Sequence, residues 1–131
     1  FVLDQQTGAA VEHSASVNPP ANLGKRAVVE AKVIIAEHVS IGEQSHIEDH
    51  VAISRNVWIG NYCLVGRKSS LKEGSHIKSR VRLDSRVVIG AGSYVRVDIP
   101  DSLYVPSHSR IRSMGQVWRL SRIDSQQLTR N

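Results

Sequence analysis

The sequence has little of what many small folds lean on. Among its 131 residues are one cysteine (Cys63), one phenylalanine, two tryptophans, three tyrosines and four prolines. A single cysteine excludes an internal disulfide framework and a Cys-rich zinc site, and it favours a reducing compartment, cytoplasm or mitochondrial matrix. With aromatics at 5%, the core must be built from aliphatic side chains. No apolar run approaches a membrane span, the longest being Val33 to Ala36, and no signal-like stretch follows Phe1. A soluble chain is the expectation, with the compartment otherwise open because residue 1 is not Met. The length suits one domain.

Charge is unevenly placed. Residues 1–66 carry 4 basic and 7 acidic side chains, whereas residues 67–131 carry 13 and 5. In a structure built progressively along the chain, that asymmetry becomes a basic end.

What the chain does have is a six-residue period. Every sixth residue from Val11 to Val95, 15 positions in all, is Val, Ile or Leu, with Ile35, Ile41, Ile47, Ile53 and Ile59 in unbroken succession. Two residues before each stands a small or β-branched residue or Cys63, from Ala9 to Ser93. Residues i and i−2 share one face of a strand, so each hexad offers one large and one small inward side chain. Gly24, Gly42, Gly60, Gly66 and Gly90 follow the large residue, as expected where the backbone turns sharply or needs a positive φ. A period of six fits neither a helix nor a hairpin meander. It fits a parallel β-helix in which each hexad gives one short strand and one corner.

These hexads resemble the left-handed β-helix of the hexapeptide-repeat superfamily. The resemblance implies an all-β fold, a single-stranded left-handed parallel β-helix of about five triangular coils at three hexads per coil. The expected divisions are a lead-in over 1–8, the β-helix over 9–98, and an exit segment with a C-terminal tail over 99–131. The run Val97-Asp98-Ile99-Pro100 is similar to the "DIP" by which members of the superfamily leave the last coil. Beyond it, Met114, Val117, Trp118, Leu120 and Ile123 are spaced as the apolar stripe of a helix. The resemblance also implies a trimer, made of one chain or of related β-helix chains.

An 18-residue coil stacks positions that differ by 18, about 5 Å apart, which turns the sequence into a surface map. One column reads Lys32, His50, Lys68, Arg86, beside an acidic one of Glu12, Glu30, Glu48 and Asp84. The pair is either a solvated ion-pair ladder or an edge that meets a neighbouring subunit. Another column reads Trp58, His76, Tyr94. An exposed strip of rings needs cover, so it reads as an interface first and a ligand platform second. Lys78, Arg80, Arg82 and Arg96 make the late coils basic, fit for the phosphates of coenzyme A or for an acidic partner protein. No nucleic-acid-binding module is present, so nucleic acid is not an expected partner.

Two functional readings compete. The segment Ile41 to Ser54 (IGEQSHIEDHVAIS) resembles the "IGxxTNIQDxxxIH" stretch of γ-class carbonic anhydrases, which bind zinc through three histidines at a trimer interface. Carried over, the ligand positions fall on Ser54, Asn61 and Gly66, none able to serve as an imidazole ligand, so zinc hydrase activity is expected to be absent. On this reading the chain is a non-catalytic scaffold or assembly subunit with no cofactor. The alternative is a coenzyme-A-dependent acyltransferase, with His76 as general base and His46 as second candidate. Against it stand the lack of an inserted acceptor loop between hexads and of the "GxPA" that follows "DIP". A third class, the β-helical tail of a sugar nucleotidyltransferase, would have only an oligomerising role. The sequence reading places the scaffold first.

Overall fold

The structure is a computed structural model that describes the backbone of residues 1–129 and the side chains of residues 1–122. Each hexad forms one short strand, and three hexads close one turn of a left-handed parallel β-helix. The prism has three faces, each a six-stranded sheet. The first contains Val28–Val29, His46–Ile47, Leu64–Val65 and Arg82–Leu83; the second contains Ile34–Ile35, Ala52–Ile53, Ser70–Leu71 and Val88–Ile89; the third contains Val39–Ile41, Trp58–Ile59, His76–Ile77 and Tyr94–Val95. Register is eighteen residues per coil, as in Trp58 opposite His76 and His76 opposite Tyr94.

The large hexad residues from Val29 to Val95 stack on one another inside the prism, with Ile35, Ile47, Ile59, Leu71, Ile77 and Leu83 fully buried. Burial of each such side chain contributes about 1.5–3 kcal/mol. The small position is used in a second way. Ser45, Ser69 and Ser93 are buried there, each donating to a carbonyl of the next coil, Gly60 O at 2.6 Å, Asp84 O at 3.1 Å and Pro106 O at 2.8 Å. The same hydroxyls accept N–H bonds from Cys63, Val87 and Ser109, so the serines stitch coils together, and among the described residues no buried side-chain nitrogen or oxygen lacks a partner.

Five coils were expected and about six are present. The sixth is built from Ile99, Val105 and Ile111, again six residues apart, which lie opposite Leu83, Ile89 and Val95. Its register is sixteen residues rather than eighteen, because the corner between Val95 and Ile99 is two residues short. The "DIP" segment thus enters a further coil, and the Asp98 carboxylate accepts the Arg82 N–H at 2.9 Å. At the other end Val2–Leu3 pairs antiparallel with Ala10–Val11.

The glycines are there for a different reason from the one expected. Those with a positive φ are Gly8, Gly74 and Gly92, while twelve non-glycine corner residues adopt φ values between 55° and 67°. Each such corner costs roughly 1–2 kcal/mol of backbone strain, offset by N–H bonds back to the preceding coil, such as Arg86 N–H to Arg67 O at 2.8 Å. Gly24, Gly42, Gly60, Gly66 and Gly90 instead sit where a Cβ would lie 2.4–2.5 Å from an atom of the next coil. Close approach of the coils selects them.

The last coil is capped by a helix, Met114–Thr129. Ser113 and Gln116 form a reciprocal cap: Gln116 N–H reaches Ser113 Oγ at 3.4 Å and Ser113 N–H reaches Gln116 Oε1 at 3.1 Å. Val117 is buried and Leu120 packs against the core, whereas Met114 and Trp118 are exposed. The expected stripe is therefore narrower, and Ile123 lies outside the described side chains.

Candidate active site

The outward column of the third face holds the strongest concentration of chemistry. His76 is stacked between two rings, its centroid 4.2 Å from that of Trp58 and 4.5 Å from that of Tyr94, at interplanar angles of 28° and 23°. Stacking of this kind on both faces fixes the imidazole plane. Partial burial between the rings pushes the His76 pKa below its ordinary value, because loss of solvent disfavours the charged form. The ring is therefore neutral, and able to accept a proton, over a wider pH range than a free histidine.

A cleft of about 430 Å³ opens over the late end of this column, lined by Gly74, His76, Tyr94, Arg96, Arg110 and Arg112 among others. The Arg96 guanidinium lies over the Tyr94 ring, 5.6 Å from its centroid. Among the described residues, Arg96, Arg110 and Arg112 make no ion pair, whereas Arg55, Arg67 and Arg86 each contact a carboxylate. Three uncompensated guanidiniums around one cleft present an anion-attracting field. Gln116 holds two of them in place through the backbone, accepting the Arg112 N–H at 2.6 Å and donating to the Arg110 carbonyl at 2.8 Å.

Arg110 and Arg112 were not among the candidates read from the sequence. Both extend columns that were: Arg110 lies opposite Tyr94, and Arg112 one residue past the Ile111–Val95 pair, beside Arg96. The signal that would have found them is the hexad spacing Ile99, Val105, Ile111, hidden by the two-residue shift. Of the proposed anion-binding residues, Arg96 alone lines the cleft. Lys78 is one coil earlier and exposed, Arg80 is engaged over the Tyr62 ring at 4.9 Å, and Arg82 faces a separate hollow with Asp84 and Asp98.

The second candidate base, His46, stands on the first face opposite Val28 and Leu64, hydrogen-bonded to Glu30. Lys32, His50, Lys68 and Arg86 do form one corner column, all at positive φ. The expected ladder to Glu12, Glu30, Glu48 and Asp84 is not what neutralises it. His50 bonds Asp49 at 2.8 Å and Arg86 bonds Asp101 at 3.2 Å, because corner side chains reach residues beside them more readily than the column across the face. The His50 hydrogen bond, with the Arg67 charge behind it, holds the Asp49 carboxyl below its ordinary range.

At the positions matching the zinc ligands, Ser54 borders a hollow on the second face, Asn61 accepts the Glu43 N–H through Oδ1 at 2.8 Å, and Gly66 packs on the Asp84 backbone. Among the described residues no three His, Cys, Asp or Glu side chains converge to hold a metal ion. Among the described residues no helix is long and apolar enough to cross a membrane.

No family model matches the sequence, and no curated protein is similar to it. Among solved structures, the acetyltransferase domain of PglB from Neisseria gonorrhoeae FA1090 in complex with acetyl coenzyme A is similar, with a TM-score of 0.52 and 23% identity over 77% of this chain and 52% of that one. The same domain alone gives a TM-score of 0.50 and 24% identity over 73% and 50%. This chain spans about half the length of those structures, and the likeness is one of fold. The carbonic-anhydrase resemblance rests on the Ile41 to Ser54 stretch alone. The expectation of a cofactor-free chain is overturned by these comparisons, since the PglB domain was solved with acetyl coenzyme A bound. The β-helix that the sequence period implies is the fold these acetyltransferase structures share.

Proposed function

We propose that the chain is a coenzyme-A-dependent acyltransferase whose general base is His76. The observation that carries this reading is a neutral imidazole clamped between Trp58 and Tyr94, in a cleft whose rim holds three unpaired guanidiniums. The residues suit a coenzyme A thioester. Arg110 is two strand spacings from His76, about 10 Å along the prism, so the cleft runs from the base past Arg96 to the guanidiniums of the last coil. Arg96, Arg110 and Arg112 would hold the phosphates, with the Tyr94 ring under the arm between. When bound, the thioester supplies an activated acyl group. His76 takes the proton from an acceptor hydroxyl or amine as the new acyl bond forms, and returns it to the departing thiolate as the carbon–sulfur bond breaks. A positioned base of this kind contributes about 10²–10⁴-fold in rate.

The guanidiniums favour neutral over ammonium acceptors, because a cation entering the cleft meets like charge. Assembly belongs to the same reading: Trp58 is 40% exposed at the open end of the ring column, where a second prism of the same or a related chain would cover it. The test is thiol release from acetyl coenzyme A, with water as the slow acceptor. Wild-type release that drops at least 100-fold in His76→Ala, and not in His46→Ala, supports the assignment; equal release by wild type and His76→Ala would overturn it.

A further inference from the structure

The ridge between the second and third faces is broken beside His76. Successive corner residues along this ridge are His38, Asn56, Gly74, Gly92 and His108, the last four at φ values of 60°, 73°, 67° and 62°. Twelve side-chain-bearing residues tolerate this conformation elsewhere in the molecule, His38, His50 and His108 among them, so the backbone does not require glycine at 74 and 92. What the two glycines supply is the missing side chain. A Cβ on Gly74 would meet nothing closer than 3.9 Å, whereas the His108 ring lies over Gly92, its Nδ1 2.9 Å from the Cβ position. The ridge therefore has an open notch at Gly74, between Asn56 and the His108 ring.

On the third-face side of the notch is the His76 cleft, lined by Gly74 and Gly92. On the second-face side, bordered by the adjoining Glu73 and Ala91, is a larger hollow of about 590 Å³ whose lining includes Ser54, Arg55, Lys72, Tyr104 and Ser107. Its charges are nearly balanced: Arg55 reaches Glu73 at 3.5 Å and Glu37 at 3.9 Å, leaving Lys72 without an ion pair among the described residues. Tyr104 stands at its edge with half of its surface exposed. Two serine hydroxyls, the Lys72 ammonium, the paired Arg55 and Glu73 and the open Tyr104 ring make a lining for a compact, uncharged, hydroxyl-bearing molecule. It contrasts with the guanidinium rim across the ridge.

We infer that this hollow is the acceptor subsite, and that an uncharged polyhydroxylated acceptor lies in it with its reacting hydroxyl passed through the Gly74 notch to His76. The inference rests on His76 as the base. The two ligands would then approach from opposite sides of one ridge, the acyl donor along the third face and the acceptor along the second, with no inserted loop needed to bind the acceptor.

The experiment compares wild type, Gly74→His and Tyr104→Ala. Acetyl coenzyme A affinity is measured by calorimetry, and thiol release is followed with methyl α-D-glucopyranoside, glucose 6-phosphate and glucosamine as probes. A histidine at 74 has three precedents at corners of this fold and fills the notch; Tyr104→Ala removes an exposed ring and leaves the core intact. The expected result is stimulation by the uncharged glucoside above the rate with water. That stimulation falls at least tenfold in both variants, while acetyl coenzyme A affinity and release to water stay within twofold of wild type in Tyr104→Ala; in Gly74→His, which also borders the donor cleft, the readout is the ratio of stimulated release to release with water. Stimulation that survives in both variants, stimulation by glucose 6-phosphate or glucosamine alone, or stimulation by none of the three would overturn the inference. So would a parallel loss of acetyl coenzyme A affinity in Tyr104→Ala, which would make the hollow part of the donor site. Failure of the wild-type protein to bind acetyl coenzyme A, or release unaffected by His76→Ala, would instead remove the acyltransferase reading on which the inference rests.

Discussion

Gly66→Ala tests the claim that coil spacing dictates composition at the hexad corners. A Cβ on Gly66 would lie 2.4 Å from the Asp84 carbonyl carbon, 2.5 Å from its oxygen and 2.6 Å from the Ser85 nitrogen. All three are backbone, so no side chain can swing aside. To reach an ordinary contact of 3.4 Å, the two coils must part by about 1 Å. They are held by the Gly66 N–H bond to Leu83 O at 2.7 Å and the Ser69 hydroxyl bond to Asp84 O at 3.1 Å, each contributing about 0.5–1.5 kcal/mol. Overpacking costs typically about 1–3 kcal/mol, and the reduced freedom of the unfolded alanine chain offsets about 0.4–1 kcal/mol. The net loss is about 2–3 kcal/mol. Gly74→Ala is the control, because its φ of 73° is strained for alanine but its surroundings are open; its net loss is about 1 kcal/mol. Urea unfolding followed by circular dichroism measures both. For a domain of this size the gap corresponds to a melting temperature lower by ~3–8 °C in Gly66→Ala than in Gly74→Ala. If Gly66→Ala is as stable as Gly74→Ala, or more so, close coil approach is not what selects glycine there.

Further outcomes follow from the same contacts. Ser69→Ala leaves the buried Val87 N–H and Asp84 carbonyl without the hydroxyl that serves both, and should cost about 1–3 kcal/mol by urea unfolding; a neutral effect would show that the serine only fills space. Because burial lowers the His76 pKa, base-dependent thiol release should rise with pH, with its midpoint below the ordinary histidine value of 6.5. The same shift means that the unfolded chain binds the His76 proton more readily than the folded one. The histidine's contribution to stability is therefore intact above pH 6.5 and falls as pH drops through the lowered folded value. A release profile with its midpoint above 6.5 would contradict the burial account. Burial raises the Cys63 pKa and holds the thiol inside the prism, so it should resist iodoacetamide in native protein and react once unfolded; rapid native labelling would contradict its inward placement.

Most of the fold was legible because a β-helix repeats one local rule. Ile35 to Ile59 at six-residue spacing, with a small residue two places earlier, already says which side chains point inward and which strands stack. The period is legible only as far as Val95, one coil short, since a strict count of six runs into Val97 to Asp101 out of phase. The chain resumes the same rule from Ile99 after a corner two residues shorter. That slip concealed Arg110 and Arg112, and with them the guanidinium rim of the candidate site. Trp58, His76 and Tyr94 were placed correctly in one column, because stacking follows from register alone. Ion pairing at the corners was not legible: which carboxylate meets His50 or Arg86 depends on side-chain reach at positive φ, and the partners are Asp49 and Asp101. The glycines after each large residue were recognised as special, but the cause lies in a neighbour eighteen residues away, which a local turn rule does not contain.

Calorimetric titration of the protein with acetyl coenzyme A, alongside an Arg110→Ser, Arg112→Ser double variant, tests the central claim most directly. Saturable binding to the wild-type protein, weakened at least tenfold in the variant while its melting temperature is unchanged, is the predicted result; no saturable heat with the wild-type protein, or equal affinity in both, would contradict a coenzyme site at the His76 cleft.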